Sequence, residues 1–221
     1  MANNRSTRSA PSAAPAPQAV VDTFALMESL INAYTNATIE LGTSVTTIVM
    51  PRALVIKSGH TVTITSFGST PKTLLRSPSL GGDAFVVQPG GTLRLTKVKI
   101  DGNASAVTAV SGALIATSGP DSVLDIGADV TLTNNKNQTS NGGIIRADGG
   151  QITMRGVSSV TNGSAVNGGG IALSLVADLV VENDAFIQNN KASKDGGGIA
   201  GIAWYGIMRI GGTISGNTAG S

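Results

Sequence analysis

The chain has 221 residues, enough for one domain or for one stretch of a repeat array. Only 13% are charged and 3% aromatic while 29 are glycine, which excludes a charged disordered tail, a helical bundle and a coiled coil. The formal charge of +2 traces to Arg5 and Arg8 in the leading segment, so a neutral body remains with no electrostatic footprint for nucleic acid. The absence of cysteine removes disulfides, thiolate metal sites and Cys nucleophiles together. No apolar run reaches the roughly 18 residues of a transmembrane helix.

Residues 1–18 are rich in Ala, Pro, Ser and Asn and lack the apolar region of a secretion signal, so they read as a leader or linker. Residues 19–37 hold the one good helix pattern. Asp22 or Thr23 can cap it, and Phe24, Met27, Leu30, Ile31 and Tyr34 recur at helical spacing. From residue 38 to residue 221 the pattern changes to short β runs between turn residues. Thr38–Leu41, Val45–Met50, Ala53–Lys57 and Thr61–Thr65 read as strands, with Val62 and Ile64 on one face.

The later chain repeats itself. Apolar-led strands begin at Leu93, Leu124, Ile152, Leu179 and Ile207, at intervals of 31, 28, 27 and 28 residues. Each is followed by asparagine: Asn103, Asn135, Asn162, Asn189 with Asn190, and Asn217. Four of these lead through a small-residue turn (around Gly112, Gly143, Gly170 and Gly198) into a second apolar strand. A period near 28 is too short for a propeller blade and carries no leucine-rich-repeat consensus. It fits one coil of a right-handed parallel β-helix. In such a coil glycine supplies tight corners, and asparagine tolerates the left-handed conformation while its amide bonds along a ladder. Six or seven coils would make a rod on the order of 30 Å long. The helix would cap the first coil, whereas the last would need a further coil or another chain to cover it.

These residues resemble a known group. The helix followed by ATIELGTSVT, LVIKSGHTVTIT and GGTLRLTKVKIDG is similar to the opening of pectate-lyase-like adhesive domains of bacterial surface proteins. The Asn-then-Gly-Gly-Ile coils resemble repeats of polymorphic outer-membrane autotransporters, with their FxxN and GGA(I/L/V) motifs. Phe186-Ile-Gln-Asn189 matches the first motif outright. Ile100 to Asn103, Leu132 to Asn135 and Ile214 to Asn217 keep its spacing, and Ser159 breaks it in the third coil. The resemblance spans residues 20 to 221. It implies an extracellular or cell-surface, non-enzymatic adhesive rod, with a glycan, matrix or host-surface protein as partner. Two alternatives stand beside it: a filament subunit that self-associates end to end, and a degenerate polysaccharide lyase or hydrolase.

Candidate chemistry is sparse, and no cofactor, metal or catalytic residue is assigned. The ten Asp and three Glu are scattered, where calcium-dependent elimination needs a carboxylate cluster and glycosidases a spaced pair. Asp121, Asp125 and Asp129 come nearest, with the last two on one strand face, and read as solvated exterior. His60, the one histidine, reads as an exposed turn residue. Arg146 and Arg155 about Asp148, and Lys191 and Lys194 with Asp195, either form a ligand-binding ridge on the rod or simply keep the stacked strands soluble and aligned. Trp204-Tyr205 is either a sugar platform or a corner lid over the core. Thr-x-Thr pairs, as at Thr131/Thr133, would need matching register on neighbouring coils to form an ice-binding face.

Overall fold

A computed structural model describes residues 18–107 and 112–220. The leader, apart from Gln18, and Ser111 in the first small-residue turn lie outside these. Alternating apolar residues can be buried on one face only, and each short strand finds its hydrogen-bond partner one coil away. The result is a parallel β-solenoid of about seven turns. Each turn visits three parallel sheets in the same order. The first sheet contains Asn36–Leu41, Thr61–Ser66, Thr92–Leu95, Val123–Ile126, Gln151–Met154, Asp178–Val181 and Met208–Ile210. The second runs from Thr47–Met50 through Lys72–Arg76, Val98–Asp101, Thr131–Thr133, Ser158–Thr161 and Ala185–Gln188 to Thr213–Ser215. The third runs from Leu54–Ile56 through Phe85–Val87, Ile115–Ser118, Ile145–Asp148 and Ile171–Leu175 to Ile199–Trp204.

The interior consists of columns of like side chains. Ile39, Ile64, Leu95, Ile126, Met154 and Val181 stack in register on the first sheet, and all are at most 1% exposed. Ile48, Leu74, Ile100, Leu132, Val160 and Ile187 stack in register on the second, and all are buried. Each fully buried side chain of this size contributes roughly 1.5–3 kcal/mol.

The first end is closed by two elements. Strand β1 (Gln18–Val21), inside the segment read as leader and helix, pairs with Asn36–Leu41 and covers the edge of the first sheet. Helix α1 (Phe24–Ala33) starts at Thr23, whose hydroxyl accepts the amide of Leu26 at 3.2 Å. It buries Phe24, Met27 and Ile31 against the first coil. Tyr34, expected on the apolar stripe, is instead an extended C-cap residue and 44% exposed. Arg52 pairs with Glu28, holding its carboxyl below the usual carboxylate range, and lies 5.2 Å above the Phe24 ring.

The asparagines do not form the single column expected. Two adjacent columns leave the second sheet. In the first, Asn134, Asn162 and Asn189 turn the corner with φ of 54–56°, the left-handed region asparagine tolerates. In the second, Asn135 and Asn190 are buried with their amides turned into the coil, and Asn217 repeats the geometry. Asn190 Nδ2 donates to the carbonyl of Val160 at 3.1 Å, and its Oδ1 accepts the amide of Gly163 at 2.8 Å. One coil later Asn217 Nδ2 donates to Ile187 at 2.8 Å, and its Oδ1 accepts the amide of Asn190 at 3.0 Å. Asn103 combines the two roles, with a φ of 54° and its amide donating to the carbonyl of Arg76.

Register also corrects the motif reading. The inward apolar residue is Ile187, three before Asn190, whereas Phe186 faces outward beside Ser159 and Thr213. The coil with Ser159 is therefore regular, since Val160 fills the inward position. Likewise Met208, not Ile207, stacks on Leu179, so that interval is 29 residues. The four glycines share one turn but not one column: Gly142, Gly168 and Gly196 are the register partners with positive φ. Gly170 and Gly198 instead permit close approach, since a Cβ on Gly170 would lie 2.7 Å from the carbonyl oxygen of Gly198. Thr131 and Thr133 lie in register under Ser159 and Thr161, but Phe186 and Gln188 interrupt the hydroxyl array.

Two substitutions test this register. Ile171, fully buried between Ile145 and Ile199, should not tolerate Asp, and Ile171→Asp is expected to yield unfolded or aggregated protein by circular dichroism and gel filtration. Asn190→Ala should lower the unfolding free energy by ~2–3 kcal/mol in denaturant titration, while Asn189→Gly, in the left-handed column, should change it by less than ~0.5 kcal/mol.

Candidate binding surface

The passage from the third sheet back to the first is where the regular coil is disturbed. Ile171–Leu175 pairs with Ile199–Trp204 in register as far as Ser174, after which the register shifts and Leu175 faces Trp204. The bulge absorbs one extra residue. It leaves two bulky or β-carbon-bearing residues in the left-handed region, Leu175 at φ 54° and Ala203 at φ 45°. For an ordinary residue that conformation costs roughly 1–2 kcal/mol. Bulges of this kind re-aim side chains, and backbone strain gathers at functional positions.

Re-aiming is what the corner shows. Trp204 turns inward, packs on the core and donates from Nε1 to the carbonyl of Ala177 at 2.6 Å. Of the expected aromatic pair, it is therefore the lid. Tyr205 is left 69% exposed beside Leu175, Val176 and Ile207, each about half exposed. Two adjoining grooves of about 150 and 180 Å³ run past this apolar corner and share Gln151 and Asp178. Asp121 and Pro120 line one, Ile207 and Arg209 the other. Asp178 is tied down, accepting the amide of Ile207 at 2.8 Å.

The other candidates are dispersed. Arg146, on the third sheet, binds Asp83 at 3.0 Å and Asp148 at 3.1 Å. Arg155, just past a first-sheet strand, pairs with Asp125, which Arg94 approaches at 3.9 Å. The two arginines thus serve different sheets and form no common ridge. Asp129 lies in a left-handed turn beyond the strand that carries Asp125, so the two share no strand face. Asp121 occupies a similar turn in the preceding corner. Lys191, Lys194 and Asp195 are exposed around the short strand Lys191–Ala192. His60 is half-buried rather than exposed, with Nδ1 enclosed and without a hydrogen-bond partner. Among the described residues, no group of three or more His, Cys, Asp or Glu is placed to hold a metal ion.

One residue of consequence escaped the sequence reading. Arg76 is fully buried, and its guanidinium donates to the carbonyls of Leu80 at 2.9 Å, Gly82, Gly112 at 3.3 Å and Ala113 at 3.4 Å, and to Asn135 Oδ1 at 3.0 Å. Burial lowers its pKa from the ordinary arginine value, and nearby Asp83 opposes that shift. The signal was present: Leu74 points inward, and the period of two carries Arg76 to the same face.

No protein-family model, curated protein or solved structure matches the chain. The fold and the surface geometry therefore carry the functional argument.

The corner's division of labour is testable by thermal unfolding. Trp204→Ala should destabilise by ~3 kcal/mol, a large aromatic being removed from the core edge together with its hydrogen bond. Tyr205→Ala should leave the midpoint within about one degree.

Proposed function

We propose that this protein is a non-enzymatic adhesive rod, acting at the cell surface or outside the cell, that binds a matrix or host-surface protein through the corner at Leu175, Val176, Tyr205 and Ile207. The observation that carries this reading is the contiguous exposure of these four apolar side chains on a strained bulge, bordered by polar grooves. Exposed apolar patches rimmed by polar groups mark interaction sites, and a tyrosine supplies large contact area at small entropic cost. The sequence resemblance to adhesive domains of bacterial surface proteins points the same way. Rigidity suits the task, because nearest-neighbour stacking holds a corner in place without a large globular core.

The test is binding of the purified chain to immobilised extracellular-matrix proteins, with a glycan panel beside them. Tyr205→Ala and Leu175→Gly should each weaken capture at least tenfold. Leu175→Gly should do so without loss of stability, since glycine relieves the left-handed strain. Absence of any matrix-protein binding, binding indifferent to both variants, or cleavage of a polysaccharide would overturn the reading.

A further inference from the structure

After the first coil, every passage from the second to the third sheet is a longer excursion. Residues 51–53 make this turn in the first coil, residues 77–84 make it in the second, and residues 102–107 and 112–114 belong to it in the third. Arg76 joins the bases of these two excursions by donating to Leu80 and Gly82 in one and to Gly112 and Ala113 in the other. Asp83 adds a second tie, accepting the amide of Ala113 at 2.8 Å and the guanidinium of Arg146. Higher coils of the same chain close this corner with a neutral asparagine amide, as at Asn190 and Asn217. A buried guanidinium is a costly alternative, and its hydrogen bonds go to the excursions.

At the foot of the excursions lies a cleft of about 380 Å³ lined by Leu75, Asp101, Asn103, Ala104, Ser105 and Asn134. Leu75 and Asp101 are register neighbours on the outer face of the second sheet and form its floor. Asp101 is oriented by three donors: the amide of Asn103 at 2.9 Å, Lys99 Nζ at 2.8 Å and Asn134 Nδ2 at 3.3 Å. Asn103 is fixed in turn by its bond to the Arg76 carbonyl. The ion pair with Lys99 leaves the cleft close to neutral. What it presents is a carboxylate edge, two side-chain amides and a hydroxyl beside the apolar surfaces of Leu75 and Ala104.

We infer that this cleft is a saccharide site, taking one or two rings of a neutral sugar. Ring hydroxyls donate to the Asp101 carboxylate and exchange hydrogen bonds with Asn103, Ser105 and Asn134, while a C–H face lies on Leu75. The volume falls at the small end of ligand sites, roughly 300–1,000 Å³. Charge neutrality selects a neutral ligand over a cation or an anion. The site lies in the lower coils, away from the apolar corner, and stands or falls independently of the adhesive reading.

The experiment titrates the whole chain with glucose, galactose, N-acetylglucosamine and their β-linked disaccharides, following backbone amides by two-dimensional NMR. Calcium chloride is run as a separate arm. The expected result is saturable shifts confined to residues near 75, 99–105 and 134. Asp101→Asn and Ser105→Ala should each weaken binding at least fivefold, and Tyr205→Ala should not change it. No saturable shift with any sugar, shifts that persist unaltered in both cleft variants, or calcium binding at these residues would overturn the proposal. Spectra of the two variants that match the parent elsewhere exclude misfolding as the cause.

Discussion

Every coil must satisfy its neighbours across one strand spacing, about 4.8 Å, and this constraint organises the molecule. Backbone donors and acceptors point along the axis, so each coil is both partner and template for the next. Side chains that turn inward must stack without gaps, which gives the Ile, Leu and Val columns their uniformity. At the corner between the second and third sheets the strand ladder is short, confined to Ser164–Ala165, Lys191–Ala192 and Thr218–Ala219, and the backbone groups beside it need another source of axial hydrogen bonds. The inward asparagines supply it, since one amide both donates to and accepts from backbone in the neighbouring coil. Glycine serves the same constraint by letting carbonyls of successive turns come within contact.

Departures from this economy coincide with the two surfaces for which functions are proposed. The bulge at Ser174/Leu175 breaks a third-sheet register otherwise kept from coil to coil. It sends Trp204 inward and Tyr205 outward, two neighbours with opposite roles. Arg76 replaces an asparagine-like closure with a charge that needs five acceptors, and the polar cleft lies beside it. In both places the solenoid is regular above or below, so the disturbance is local. A repeat fold allows this because each coil answers only to its immediate neighbours.

The two surfaces differ in kind. The upper corner is apolar and protruding, the form of a contact for another protein, whereas the lower cleft is concave, neutral and rich in hydrogen-bonding groups. A rigid rod holds both at a fixed separation. Under the two proposals, a protein partner and a sugar would be held by one inflexible scaffold, and their relative geometry would add to selectivity.

By itself the sequence determined the repeat, the helix that closes the first coil and the apolar residues that face inward in most strands, as at Val62, Ile64 and Ile171. These depend on local spacing, which alternation and period expose directly. It could not separate Asn189 from Asn190, or Phe186 from Ile187, because adjacent residues of one corner differ only in the direction their side chains take. The extra residue before Met208 was equally hidden, being absorbed by a bulge that sequence does not mark. Only the tertiary structure brought Asp83 to Arg146 and Asn135 to Arg76, partners 63 and 59 residues apart. Such contacts are set by stacking register summed over successive coils, and a single-residue shift anywhere in that sum would have given each of them a different partner.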